Sequence, residues 1–493
     1  MELAIDNGCL MIDNLNMQYD YESLLSVERE YAGEIKSTKI DEFYSDKSRI
    51  TYCSSFRRLQ QKAQVFSLES NASVRTRLTH SLEVADIGRT IANGVGYRLY
   101  KNGIIKEDLI PRFVTVVENA CLLHDIGNPP FGHFGEAAIQ SWANEIERRI
   151  KKLVPEGVDM NSDLFRLLIS DFKEFDGNPQ GFRTITKLHG KSGMNLTYAT
   201  LLAVLKYSRA AGEPKGPSIR KKAGYFQTEK DLVEKLWKKV GINEHCRYPL
   251  TYIMEAADDI AYCMSDIEDG IEKRVLTFDD FKREFKKIWS KKGYPEDEYR
   301  KLMFKKSRKT GEEMEITSYK YDVSIPWSRY AVETAVDSYI ENHESIYNGT
   351  FGELIPEDSL PGRFLSVIKS VAGKILYPSI QAESIELTGY AVISGIMEHF
   401  ERLIRLDYES FRSLVDGEAP KSLAVQRRLF NRLGSRFVSS YKWAVDSLEK
   451  NEEFNVREWH LRVHLIIDHI SGTTDEYALE TYQMLQGISL LKY

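Results

Sequence analysis

No two cysteines in this sequence stand two residues apart, and the five present, Cys9, Cys53, Cys121, Cys246 and Cys263, are odd in number. Both features argue against a disulfide framework and against a thiolate zinc module. An uninterrupted apolar run of membrane-spanning length is also missing, and the acidic start MELAIDNG lacks the basic-then-apolar pattern of a secretion signal. A cytoplasmic protein without a membrane partner is therefore expected. Charge of one sign is lacking too: 67 Lys and Arg against 73 Asp and Glu leave a formal charge of −6, so nothing pulls the whole chain toward nucleic acid or lipid. No internal repeat or low-complexity tract is visible. What is present is an ordinary globular composition, 42% hydrophobic and 28% charged over 493 residues, enough for a substantial core.

The most informative stretch is Glu118–Glu136, ENACLLHDIGNPPFGHFGE. Its first part is apolar enough for a buried helix, and it ends in His124-Asp125, two metal-competent side chains against that apolar run. A buried charge of this kind needs a partner. Gly127, Asn128, Pro129 and Pro130 then stop the helix. A second helix is expected to open near Phe134, with His133 and Glu136, three apart, sharing a face on or just before its first turn. One hinge thus carries a metal pair and an acid/base pair.

The remaining segments are less specific one by one. Residues 1–45 suggest an N-terminal arm with a helix or two. From Ser45, Arg49, Arg57, Arg58, Arg75 and Arg77 surround polar residues, and His80 lies among Leu82, Val84, Ile87 and Ile91, which suit one helix face. Taken alone this is a solvated basic helix pair. Between 151 and 250, DGNPQG and AGEPKGP read as turns, LTYATLLAVLKYSR as helix, and Lys206, Arg209, Lys215, Arg220, Lys221 and Lys222 as a basic edge. Residues 249–272 form a helix in which Asp258, Tyr262 and Asp266, spaced by four, line one face; Asp258 by itself reads as an exposed carboxylate. Residues 282–309 carry twelve Lys or Arg against four acids, 12 − 4 = +8, a solvated loop or a nucleic-acid footprint. SYKYDVSIPW is expected to be a short strand pair, and helical periods resume beyond Tyr330. His460, His464, Asp468 and His469 imitate a zinc site, but Leu461, Val463, Leu465, Ile466 and Ile467 around them favour a packed helix.

His80, His124, Asp125 and Asp258 stand out as a set. Two imidazoles and two carboxylates make a mixed nitrogen and oxygen shell, suited to octahedral Mn²⁺, Fe²⁺, Ni²⁺ or Mg²⁺ with open positions for chemistry. An ion so held acts as Lewis acid on a phosphate oxygen and acidifies water.

RTRLTHSLEVADIGR, LLHDIGNPPFGHFGE and EAADDIAYCMSDIEDGIE together resemble the HD-domain superfamily, and within it the bacterial deoxyguanosinetriphosphate triphosphohydrolases. SSFRRLQQKAQVF, LKYSR, KKAGYFQTE, ELTGYAVISGIMEHF and IDHISGTTDEYA extend the likeness over most of the chain. The resemblance implies an all-α fold with minor short β segments. Its parts are an arm (1–45), an HD core (46–280) with a helical insert at about 151–250, a basic connecting segment (281–330) and a helical C-terminal region (331–493) contributing to the base pocket and oligomer interfaces. It implies cleavage of dGTP, or of dNTPs more broadly, between the α-phosphorus and O5′, giving nucleoside and inorganic triphosphate.

The site residues follow from the same likeness. The divalent ion, Mn²⁺ or Mg²⁺ with Fe²⁺, Ni²⁺ or Co²⁺ as alternatives, falls to His80, His124, Asp125 and Asp258. His133 supported by Glu136 is the general acid or base, a role open in both directions. Arg77, Lys206 and Lys222 meet the triphosphate; Gln64, Tyr262 and Asp266 read the sugar; Tyr377 and Glu386 read the base; Val65, Asn128 and Tyr207 complete the substrate wall. The sequence departs from the guanine-selective pattern at DGEAPKSLAVQRRLF, where no arginine stands at the expected offset and Lys421 is the nearest cation. The family likeness also implies a homo-oligomer, with a hexamer expected, and single-stranded DNA as a partner. Two other readings are another type of HD phosphohydrolase and a nucleotide-sensing or DNA-binding module without catalysis.

Overall fold

The computed structural model describes residues 19–31, 42–216, 218–306 and 313–489. Helix α1 (Arg77–Lys101) starts where the Thr76 hydroxyl accepts from the Thr79 amide and Thr79 reciprocates to the Thr76 amide. Val84, Ile91, Ala92, Val95 and Leu99 are buried along it at helical spacing. They pack on α2 (Ile110–Leu123), in which ten residues between Phe113 and Leu123 are buried, so α2 lies inside the protein rather than on it. Gly88 lets the two axes approach, since a Cβ there would sit 2.5 Å from Cys121 Sγ.

After α2 the chain turns tightly, with the Ile126 amide donating to the Leu123 carbonyl and the Asn128 amide to the Asp125 carbonyl. Helix α3 (Gly132–Leu153) opens two residues earlier than Phe134, which puts His133 on its first turn and Glu136 just beyond it. Phe131 makes the reversal at φ +60°, uncommon for an aromatic residue. Its amide is pinned at 3.1 Å by one oxygen of Asp475, whose other oxygen accepts the Ala63 amide at 3.0 Å. Gly127 touches α4 (Gly177–Lys187) backbone to backbone, and an added Cβ would meet the Gly181 nitrogen at 2.0 Å and the Gly177 carbonyl oxygen at 2.2 Å.

Two hydrophobic cores result. The first gathers α1, α2, α5 (Tyr198–Val204), α6 (Thr251–Glu272) and the helix Glu42–Tyr52. The second gathers α3, α7 (Ile380–Ile404), α8 (Phe454–Ser471) and α9 (Asp475–Leu485). Ile126 belongs to the first and Phe131 to the second, so the hinge is the seam between them. The 151–250 insert is shared out: Phe165 and Phe172 enter the second core, Leu201 and Leu202 the first.

An all-α fold is what these elements make, with one small hairpin among the described residues, Phe304–Lys306 against Glu313–Glu315. Several expectations need correction. SYKYDVSIPW is not a strand pair: it forms a π-helical turn, Lys320–Ser324, running into the helix Ile325–Glu341, whose start Pro326 preorganises. The α5 helix stops at Val204, leaving Lys206 in a loop. The basic block is largely two amphipathic helices, Phe278–Lys291 and Glu296–Met303, with Lys282, Arg283, Lys301 and Lys305 all paired to acids. Of the N-terminal arm, Tyr21–Leu24 is a described helix and Glu42–Tyr52 begins within it; residues 1–18 and 32–41 lie outside the described residues. Cys53, Cys121 and Cys263 are free and buried. Among the described residues no helix is long and apolar enough to cross a membrane.

The histidines of α8 find a partner that the sequence did not point to. Asp171, fully buried, accepts from His460 Nε2 at 2.9 Å, His464 Nε2 at 3.1 Å and the Gln227 amide at 2.9 Å. Asp468 takes the guanidinium of Arg183 on both its oxygens, at 2.9 Å each. Removing the shared acceptor strands two buried imidazoles, so Asp171→Ala should lower the unfolding free energy by about 3 kcal/mol in urea titrations. Gly127→Ala forces the hinge off α4 and should cost a comparable amount, of order 3 kcal/mol, seen as a lowered melting temperature.

Candidate active site

Three helices and one loop deliver the charged centre. His80 lies one turn into α1, His124 and Asp125 follow the last residue of α2, and Asp258 is two turns into α6. His80 Nε2 is 3.3 Å and His124 Nε2 3.5 Å from the same Asp258 oxygen, Oδ1, and His124 Nε2 is 3.6 Å from Asp125 Oδ2. The four residues therefore meet, although 178 positions separate His80 from Asp258.

Whether this set fits a metal ion is decided at His124. Its Nδ1 is 2.7 Å from the Cys121 carbonyl, which assigns the proton to Nδ1 and leaves a lone pair on Nε2. That Nε2 is buried without a hydrogen-bond partner and faces two carboxylates. A lone pair aimed at anions is unfavourable until a cation stands between them. The residues fit a divalent ion, which agrees with the mixed nitrogen and oxygen donor set.

Neighbouring basic groups hold the carboxylates ionised. Burial would raise Asp125, yet Arg77, His124 and His80 outweigh it and bring it down to about 2, with Arg77 Nη1 donating to Oδ2 at 2.7 Å. Asp258 is driven lower still, because His124, Lys206 and His80 overcome its burial. Lys206 Nζ stands 3.5 Å from Asp258 Oδ2, and the Asp258 and Glu255 charges raise it against burial. Burial pulls His80 down, but its bond to Asp258 and that carboxylate's charge push it up overall.

His133 and Glu136 form the second pair. His133 Nδ1 and Glu136 Oε2 are 2.7 Å apart, and Glu136 Oε1 accepts the Gly177 amide at 2.7 Å. The carboxylate is buried while the imidazole is 82% exposed toward solvent. The hydrogen bond to Glu136, with its charge, raises His133 above the ordinary histidine value despite partial desolvation. Gly177 must be glycine, because a Cβ would lie 1.8 Å from Asn128 Oδ1 and 3.2 Å from Glu136 Oε1.

Both pairs face a cavity of about 490 Å³, a size that suits a small ligand. Gln64, Val65, Arg77, His124, Asp125, Asn128, His133, Glu136, Lys206, Tyr207, Lys222, Asp258, Tyr262, Tyr377 and Glu386 line it. Of the residues singled out from the sequence, His80 and Asp266 are not on the lining; both are fully buried just behind it. Lys421 is exposed and is not on the lining either. Tyr262 and Tyr377 join hydroxyls at 2.7 Å, and Tyr377 donates to Asp266 Oδ2 at 2.6 Å. Burial pushes Asp266 up to about 7 in spite of that donation. Tyr377 follows a π-helical turn, Ala372–Leu376, which swings its hydroxyl toward α6.

Several lining residues escaped the sequence reading. Asp176 and Asn178 lie in DGNPQG, read only as a turn: Asp176 caps α4 and pairs with Lys222 at 2.6 Å. An Asp one residue ahead of Gly-Asn-Pro is a helix-start signal, and weighing it would have put a charge at this spot. Nothing local marked Asp475, which acts over 412 positions.

An HD-domain family model matches residues 77–211, a span holding His80, His124 and Asp125 but ending before Asp258. Among curated proteins, the deoxyguanosinetriphosphate triphosphohydrolase of Enterobacter sp. (strain 638) is 37% identical over 90% of this chain and 94% of its own. That of Serratia proteamaculans (strain 568) is 35% identical over 95% and 99%, and that of Klebsiella pneumoniae subsp. pneumoniae is 38% identical over 90% and 94%. With the charged cluster in place and likeness running nearly end to end, this chain belongs to the deoxyguanosinetriphosphate triphosphohydrolase family of HD-domain proteins.

Proposed function

We propose that this protein hydrolyses dGTP to deoxyguanosine and inorganic triphosphate, water attacking the α-phosphorus. The observation that carries the reading is the shared cavity: the His80, His124, Asp125, Asp258 set, the His133–Glu136 pair and the cations Arg77, Lys206 and Lys222 all serve one space of nucleotide size. A divalent ion held by the four ligands, Mn²⁺ or Mg²⁺, supplies Lewis acidity at a phosphate oxygen and acidifies water.

The protein's own groups do the rest. A triphosphate brings roughly four negative charges, which need charge-assisted partners. Lys206 reaches Asp258 at the centre, Lys222 stands on the cavity wall paired with Asp176, and Arg77, engaged with Asp125, has its Nε buried and unpartnered. His133, raised by Glu136, is a proton donor suited to O5′ as it leaves, a poor leaving group unless protonated. Its exposure leaves the proton replenishable from solvent. Gln64 Oε1, on the cavity wall, is a buried acceptor without a donor, and a sugar hydroxyl satisfies it, while Asp266 behind the wall holds the Tyr377 hydroxyl. The linked Tyr262 and Tyr377 hydroxyls close the sugar floor against a 2′-hydroxyl. Tyr377 and Glu386 provide a stacking ring and an acceptor for guanine.

The remaining parts of the reading rest on the family likeness. A homohexamer accords with apolar side chains left open on α7, Ile380 and Leu387. Single-stranded DNA is a candidate regulator through phosphate contacts that weaken with salt. Free buried thiols accord with a cytoplasmic location.

Chromatography of products from the four dNTPs and GTP, with Mn²⁺ or Mg²⁺, tests the bond assignment. Deoxyguanosine and triphosphate are expected from dGTP, with His133→Ala and Asp258→Ala each slower by about 10³-fold or more. Monophosphate and pyrophosphate would overturn it. The pH profile tests the acid role. Because the bond to Glu136 raises His133, Glu136→Gln lowers it, so the alkaline limb of kcat should move to lower pH. Movement of the acidic limb instead would assign His133 as the base.

A further inference from the structure

We propose that Asp176 is a positioning residue for the hydrolysis: it holds Lys222 on the phosphate wall of the cavity and so reserves Glu136 for His133. This rests on the catalytic reading above and adds to it the group that keeps the two charge pairs apart.

Asp176 stands at an unexpected place for an acid. It is 7% exposed and lies on the wall of a cavity that takes a polyanion, where a carboxylate repels the ligand unless its own charge is engaged. Both of its oxygens are engaged. Oδ1 accepts from the Asn178 amide at 3.0 Å and from Asn178 Nδ2 at 2.6 Å, and Oδ2 accepts from Lys222 Nζ at 2.6 Å. Burial would raise the carboxyl, but Lys222 and the Asn178 bonds hold it below the ordinary carboxylate value.

The next residue reaches the other pair. Gly177 donates its amide to Glu136 Oε1 at 2.7 Å, and Glu136 Oε2 is 2.7 Å from His133 Nδ1. Two consecutive residues at the start of α4 therefore hold the phosphate-wall cation by a side chain and the proton-donor pair by the backbone. That start is fixed in place, because Gly127 of the hinge lies against it backbone to backbone.

Lys222 is the adaptable member of the group, its side chain 46% exposed on a flexible stem. After Asp176, the carboxylate that attracts it most is Glu136, and Lys222 in turn opposes protonation of His133. The other charged groups facing His133 are Arg77 of α1 and Glu386 of α7. With Asp176 neutral, Lys222 is drawn to Glu136, where it competes with His133 for the carboxylate and leaves the phosphate wall. One substitution then weakens the grip on the triphosphate and depletes the proton donor together.

Asp176→Asn is the test variant, because asparagine has the same shape and still caps a helix. Calorimetric titration of inorganic tripolyphosphate into the metal-loaded, full-length protein reads the grip, and Kd should rise about tenfold in Asp176→Asn. The pH profile of kcat reads the proton donor: the limb that Glu136→Gln moves should move the same way in Asp176→Asn, by about half a pH unit. Neither change should appear when Asp176→Asn is made in Lys222→Gln protein, whereas a general loosening of α4 acts in both backgrounds. An unchanged Kd, a limb that Glu136→Gln moves and Asp176→Asn does not, or effects that survive Lys222→Gln overturn the proposal. If Glu136→Gln itself moves no limb, the acid/base reading of His133 fails, and the tripolyphosphate Kd alone decides whether Asp176 holds Lys222.

Discussion

Asp125 and Asp258 sit ionised within an apolar helix packing, and most of the structure around them answers that one electrostatic demand. An unpartnered buried carboxylate would protonate or destabilise the fold. Here α1 contributes Arg77 and His80, the end of α2 contributes His124, and the loop after α5 contributes Lys206. Four chain segments are thereby fixed relative to one another by charge as well as by packing. The same balance keeps both carboxylates as ligands well below neutral pH, and it leaves a place for a cation that the imidazole lone pair of His124 already faces.

The hinge converts this into a site with two functions. Because α2 ends in the first core and α3 begins in the second, the metal set and the His133–Glu136 pair are presented from different packed bodies joined by eight residues, 124–131. Glycines at 127 and 177 allow the backbone approaches that this compression requires. Phe131 accepts an unfavourable φ, and Asp475 holds it there.

Legibility in the sequence followed the range of the interactions. The hinge was readable because its meaning is local: an apolar helix, a His-Asp end, a Gly-Asn-Pro-Pro stop, a His and Glu three apart. His80 and Asp258 were unremarkable as separate residues and became specific only as a pattern shared with a family. The aromatic alternation of SYKYDVSIPW misled, since Pro326 at a helix start outweighed β-propensity once the following residues packed on the first core. Asp171 beneath the α8 histidines and Asp475 above the hinge were invisible, because each acts on groups hundreds of positions away and neither sits in a local motif.

The reach of Asp475 has an outcome for biosynthesis. During translation the ligands at 80, 124, 125 and 258 all leave the ribosome long before residue 475, and chains begin to fold as they emerge. Until α9 arrives, the Ala63 and Phe131 amides lack the acceptor that shapes the cavity wall. A nascent chain can thus gather its ion-binding residues while the wall beside Gln64 and His133 is still unformed, so the enzyme is armed only near the end of its own synthesis.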